Sequence, residues 1–314
     1  MIFFITLLRA LATCLITNAH YEGVYPTDLL ANGGLLGDVL FFAVSGWCLY
    51  KIKENFPKWY GKRLLRCYLP IVIITAIYLL IGLYQFSMHN FVWWFVYPTY
   101  YHFIASIVVL YVPYYVIMKV DFLKRNIPYI MGIIAVVAAL VYVIFYNKSY
   151  YHIDTVREPM ILFLYMEAML MGALFREKDN AIRNRFSWWH VLGLAVSAVV
   201  YFASKLAFSK NLLPSQLQIL NWAALFALLF FIFRLFAGLD GRLEGMPKWI
   251  KKTAEFLAER TLEIYAVQYA LITIFRNVFG FPINWFVITA VIIAAAEILR
   301  LICKPVVDLV KGKK

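Results

Sequence analysis

Ten runs of apolar residues, each close to twenty long and separated by short polar or basic connections, recur along this chain of 314 residues. A helix rising 1.5 Å per residue needs about twenty residues to cross roughly 30 Å of hydrocarbon, so each run has the length of a membrane span. The runs lie near residues 2–19, 34–50, 68–85, 99–118, 127–146, 158–175, 188–208, 218–237, 256–275 and 283–302. A β-barrel needs alternating segments of about ten residues instead. Composition agrees, with 64% of residues hydrophobic and 15% charged at a mean hydropathy of +0.76, which excludes a water-soluble domain. The expected fold is therefore all-α: a polytopic transmembrane helical bundle of about ten spans, with residues 1–314 forming a single membrane domain.

Lys and Arg accumulate on cytoplasmic connections, and here they alternate from one side to the other. One side carries twenty-three of them, in bursts such as Lys51 to Arg66, Lys119 to Arg125 and Lys248 to Lys252, together with the tail from Arg300 to Lys314. The other carries only Lys148, Arg157, Lys205, Lys210 and Arg276, while Arg9 and Arg260 fall inside spans. The rich side is read as the cytoplasm, which places both termini there. The net charge of +13 thus reports topology rather than a nucleic-acid partner, because it forms no single stripe. The first run lacks a basic leader and has Arg9 in its middle, so it reads as a span and not a signal peptide. Cys14, Cys48, Cys67 and Cys303 show no metal-ligand or disulfide spacing and read as thiols; no metal is expected. No connection exceeds about twenty residues, which leaves the chemistry to the membrane bundle and its short loops.

An ionisable side chain in hydrocarbon costs several kcal/mol, so those within spans are functional candidates. They are Arg9, His20, Asp38, Glu167, Glu263 and Glu297; the alternative for each is a structural interhelical pair. Arg9 and His20 are eleven residues apart, which is three helical turns to within about 20°, so both project from one face about 16 Å apart along the axis.

That spacing, in LLRALATCLITNAH, resembles the signature of the acyltransferase-3 family of integral membrane acyltransferases. GGLLGDVLFFAVSGW, residues 33–47, is similar to the family's glycine, paired-Phe and Ser-Gly second-span motif. KRLLRCYLP, residues 62–70, resembles its basic stretch before span three, and HFIASIVVLY, residues 102–111, is a weaker match. The chain departs from the pattern at His102, where Trp is common, at Gln268, where many members have His, and at Asp38, where an apolar or amide residue is commoner. The resemblance implies transfer of an acyl group from an acyl-coenzyme A, acetyl-coenzyme A foremost, to a hydroxyl of an extracytoplasmic or lipid-linked sugar, in the cytoplasmic membrane of a bacterium.

Residue chemistry accommodates that reaction. His20 has the side chain whose ordinary pKa suits a general base for a hydroxyl, and Asp38, entering from the same outer side, is the candidate to orient its imidazole. Arg9, always charged, suits the thioester or the developing oxyanion. Lys62, Arg63 and Arg66 at the cytoplasmic mouth are candidates to hold the coenzyme A phosphates, although topology alone also predicts basic residues there. Ser45, beside Gly46, reads as a close-contact residue rather than a nucleophile. The basic cluster and His20 stand toward opposite faces, so the donor must either sink into the bundle or pass its acyl group through an enzyme intermediate. Two other readings of a charged, aromatic-rich bundle are a transporter or flippase of a lipid-linked glycan, and a non-catalytic scaffold of an envelope complex.

Overall fold

The computed structural model describes residues 2–155 and 159–311. Arg157, Lys313 and Lys314, which entered the charge distribution above, lie outside the described residues. Among the described residues the secondary structure is helical, with no strand, and ten helices have fifteen residues or more. They are α1 (Phe3–Ala19), α2 (Gly34–Leu49), α3 (Phe56–Leu80), α4 (His102–Lys119), α5 (Ile127–Phe145), α6 (Met160–Glu177), α7 (Trp188–Ser209), α8 (Leu220–Gly238), α9 (Thr261–Phe275) and α10 (Ile283–Lys311). Each overlaps one of the ten apolar runs, although α3 begins twelve residues before its run, through the basic stretch Lys58 to Arg66, and α10 continues nine residues beyond its run.

Seven of these stretches, those of α2, α3, α4, α5, α7, α8 and α10, are long and apolar enough to cross a membrane. The helices α1 and α9, of 17 and 15 residues, are shorter. In α6 the charges of Glu167, Arg176 and Glu177 interrupt the apolar run. The helix starts follow local chemistry: Pro57 and Pro128 stand in the first turns of α3 and α5, where a missing N–H costs nothing. Ser187 caps α7 by accepting the Trp189 N–H. A shorter helix, Lys248–Glu259, concentrates lysines on one face and precedes α9.

The chain forms two compact units. The first comprises Met1–Leu8, Asp38–Ile52 and Tyr114–Lys252. Within it α7 packs on α8, α5 on α6, and α8 on α6. At two glycines α2 and α6 approach closely: a Cβ on Gly46 would lie 1.9 Å from the Met169 carbonyl oxygen, and one on Gly172 would lie 1.8 Å from that of Ala43. Two helical backbones therefore touch directly, which only glycine allows, and the reading of the Ser45-Gly46 pair as a contact point is explained. The Tyr114 hydroxyl donates to the Gly46 carbonyl at 2.7 Å, and the Phe42 ring stacks on Tyr165 at 4.2 Å. Gln218 organises the loop before α6, accepting from the His152 and Ile153 amides and donating to the Tyr150 carbonyl.

The second unit comprises Arg9–Gly37, Lys53–Pro113 and Thr253–Lys314. In it α9 lies along α10, and both pack on α3. The buried Arg260 at the start of α9 donates to Glu297 of α10, which also accepts from Arg300 at 3.2 Å, and the guanidinium covers the Phe256 ring at 3.6 Å. Two of the charges that stand out in the apolar runs, Arg260 and Glu297, thereby neutralise each other.

Candidate active site

Arg9 and His20 both belong to the second unit, and the distribution of small and hydroxyl residues along α1 decides what they face. Ala12, Leu15, Ile16 and Ala19 meet Gly33, Gly34 and Gly37: a Cβ on Gly34 would come 2.8 Å from Ala19 Cβ, and one on Gly37 would come 2.9 Å from the Ile16 backbone nitrogen. The glycines of the GGLLG stretch thus let the chain entering α2 lie flat against that side of α1. The hydroxyl residues on the Arg9 side turn to α9 instead. Thr13 Oγ1 donates to Thr261 Oγ1 at 2.9 Å, and Thr17 Oγ1 donates to Gln268 Oε1 at 2.7 Å. At helical spacing Arg9, Thr13 and Thr17 form one ridge that His20 continues, so the pair shares a wall that faces a polar seam of α9.

His20 is the first residue beyond α1, and the turn that carries it is tied down on both sides. The His20 and Tyr21 amides donate to the Thr17 and Asn18 carbonyls, satisfying orphan acceptors at the helix end. Asn18 Nδ2 donates to the carbonyls of Leu30 and Asn32, and its Oδ1 accepts from the Tyr25 hydroxyl at 2.7 Å. The Tyr21 hydroxyl pairs with Thr289 of α10 at 2.7 Å, and Trp285 Nε1 donates to Tyr25. The imidazole itself is half-buried, with its ring centroid 6.1 Å from that of Tyr269 and the planes at 79°. Burial holds its pKa below the ordinary 6.5, which keeps the ring neutral and basic at physiological pH.

Arg9 lies in a concentration of charge. The carboxylate of Glu263, on α9, is within the fields of Arg66, Arg9 and Arg300. The fields of Arg66, Arg63 and Arg9 also meet at the buried Cys67 of α3. Arg63 lies over the Trp59 ring at 5.9 Å. The sequence candidates Arg9, Arg63 and Arg66 are therefore brought together. Lys62 is not equivalent to them: its ammonium is paired with Glu54, which accounts for it as a local ion pair.

A cavity of about 340 Å³ runs beside the α1 wall in the same unit, lined among others by Thr13, Cys14, Thr17, Tyr21, Trp285 and Thr289. Its α1 lining runs from Thr13 to Tyr21, and neither Arg9 nor His20 is part of it. Asp38 belongs to the first unit, where its Oδ2 accepts from the Tyr165 hydroxyl at 2.8 Å. Glu167 is buried in the same unit, and its Oε1 has no hydrogen-bond partner among the described residues. Sequence reasoning missed Thr13 and Thr17, whose i, i+4 spacing from Arg9 was the available signal. It also missed Tyr269, which no local pattern distinguishes from other apolar-run tyrosines.

The family model described as an acyltransferase domain, Acyl_transf_3, matches residues 2–299. No curated protein and no solved structure matches the chain.

Proposed function

Because the chain belongs to the acyltransferase-3 family and is thus an integral membrane acyltransferase, we propose that it moves the acyl group of an acyl-coenzyme A, acetyl-coenzyme A foremost, to a hydroxyl of an extracytoplasmic or lipid-linked sugar. The observation that carries the reading is the α1 ridge: a half-buried, neutral imidazole and a guanidinium amid other charges on one side of α1, beside a polar seam of α9. The ten helices are proposed as ten spans with both termini cytoplasmic, in a bacterial cytoplasmic membrane, which puts Arg63 and Arg66 at the inner mouth and His20 at the outer end.

In this mechanism Arg63 and Arg66 hold the coenzyme A phosphates, and Arg9 extends the positive field toward the thioester. Arg9 stands about 16 Å along α1 from His20, half the roughly 30 Å of hydrocarbon, so the pantetheine arm must carry the thioester along the ridge of Thr13 and Thr17. His20 takes the proton of the sugar hydroxyl as the oxygen attacks the thioester carbonyl carbon. The C–S bond then breaks, the coenzyme leaves as thiolate, and the imidazolium returns the proton to sulfur. Asp38, whose partner is a phenol rather than a cation, is retained as the third catalytic candidate.

Purified protein given radiolabelled acetyl-coenzyme A and envelope glycans tests the proposal. Label appearing in the glycan supports it. Movement of unmodified lipid-linked glycan without label transfer returns the flippase reading.

A further inference from the structure

From His20 a continuous series of aromatic rings runs by way of the exposed Tyr269 and Tyr100 to the buried Trp94 within the same unit. The imidazole meets Tyr269 edge-on at 6.1 Å; Tyr269 meets Tyr100 at 6.0 Å; Tyr100 meets Tyr84 at 5.6 Å; and Tyr84 stacks on Trp94 at 5.1 Å with 19° between planes. The inner members form a rigid backing. Trp94 and Tyr101 are buried, Thr75 and Tyr101 share a 3.0 Å hydrogen bond, and Tyr78, in contact with Tyr84, donates to the Val267 carbonyl on α9 at 3.2 Å. The outer members are open, with Tyr269 53% and Tyr100 37% exposed.

Aromatic rings near a bilayer surface are expected as interfacial anchors, but anchors have no need to pack edge to face against one another or to end on an imidazole. The attacking hydroxyl must come within hydrogen-bond reach of His20, so the ring that bears it must rest on whatever borders that side chain. The border is Tyr269, and next to it Tyr100. An electron-rich tyrosine face attracts the partly positive C–H groups on one side of a pyranose, while the phenol hydroxyls remain available to the sugar's own hydroxyls.

We propose that Tyr269 and Tyr100 form the stacking platform that seats the pyranose ring of the acceptor against His20. This rests on the acyl-transfer reading above, with Tyr84 and Trp94 holding the platform in place.

The test uses the full-length protein in detergent with radiolabelled acetyl-coenzyme A, and as acceptors the methyl pyranosides of glucose, galactose and N-acetylglucosamine beside acyclic sorbitol. The wild type should prefer a pyranoside to sorbitol. Tyr269→Leu, which keeps apolar bulk for interfacial anchoring, should raise the pyranoside KM about tenfold, the scale of one lost stacking contact, and erase that preference. Tyr269→Phe, which keeps the ring face and loses only the hydroxyl, should retain the preference for a pyranoside with a smaller rise in KM than Tyr269→Leu, and the donor KM should not move in either variant. Binding of the methyl pyranosides to His20→Ala, followed by saturation-transfer NMR, separates the two proposals: loss of turnover with retained pyranoside binding supports both. Pyranoside binding without any transfer by the wild type would overturn acyl transfer and leave the platform standing. An unchanged pyranoside KM in Tyr269→Leu, or no pyranoside binding by the wild type, would overturn the platform.

Discussion

Replacing Gly46 by Ala tests the α2–α6 contact more directly than any other substitution. The added Cβ would start 1.9 Å from the Met169 carbonyl oxygen, with the carbonyl carbon at 2.7 Å and the Cα at 2.9 Å. Ordinary contact begins at 3.4 Å, so the two backbones must part by 1.5 Å at this point. A side chain can rotate away from such a clash, but a helical carbonyl cannot, because its own i+4 hydrogen bond holds it. The Gly172 contact with Ala43 lies within a turn, so the same separation opens both contacts and strains the neighbouring 2.8 Å bond between Asp38 and Tyr165. Overpacking of this kind costs about 1 to 3 kcal/mol, and the all-backbone geometry puts Gly46→Ala at about 3. Gly172→Ala should cost the same. The double variant should cost less than the sum, because one helix displacement relieves both clashes. The assay is thermal unfolding in detergent, read by the monodisperse fraction after heating. Gly132→Ala is the control, since a Cβ there meets nothing within 4 Å in the middle of α5; it should be neutral or slightly stabilising. Gly46→Ala melting with Gly132→Ala, or full additivity of the pair, would refute the reasoning.

Four predictions concern the active site. His20→Ala should abolish acylation of the acceptor while the protein inserts and elutes normally, and wild-type turnover in that variant ends its assignment as base. With the wild type, the acid limb of kcat/KM should fall below pH 6.5: the base acts when neutral, burial favours the neutral ring, and activity is lost only as pH drops through the lowered pKa. Arg9→Lys should insert normally yet lose most activity, because the charge survives but the planar fork does not; full activity would make Arg9 a structural charge. Arg63→Ala combined with Arg66→Ala should weaken coenzyme A binding, with less dependence on salt than in the wild type, whereas Lys62→Ala should leave it nearly unchanged because Glu54 already occupies that ammonium. Equal effects of all three would return Lys62 to the donor site.

Much of this architecture is local in origin. An apolar run near twenty residues becomes a helix in hydrocarbon because every backbone N–H and C=O must be satisfied within the segment, so a helix lies on each of the ten runs, while the start of α3 in a basic stretch escaped the apolar pattern. The common side of Arg9 and His20 is an expectation from helical spacing, which the turn directly after α1 extends by one residue to reach His20. What α1 faces is a different kind of fact. Thr13 finds Thr261 and Thr17 finds Gln268 across about 250 residues of chain, and no periodicity specifies which of ten similar helices will be the neighbour. The same holds for the pairing of Arg260 with Glu297, for Tyr269 arriving beside His20, and for the contact of Gly46 with Met169. Lys62 shows the limit from the other side: its sequence neighbours Arg63 and Arg66 look equivalent to it, yet side-chain direction on α3 sends it to Glu54. Helices and the order of residues along one face follow from residue order because they are set within one helix turn after another. Partners across helices follow only from packing, where small residues and hydroxyls decide which surfaces can approach.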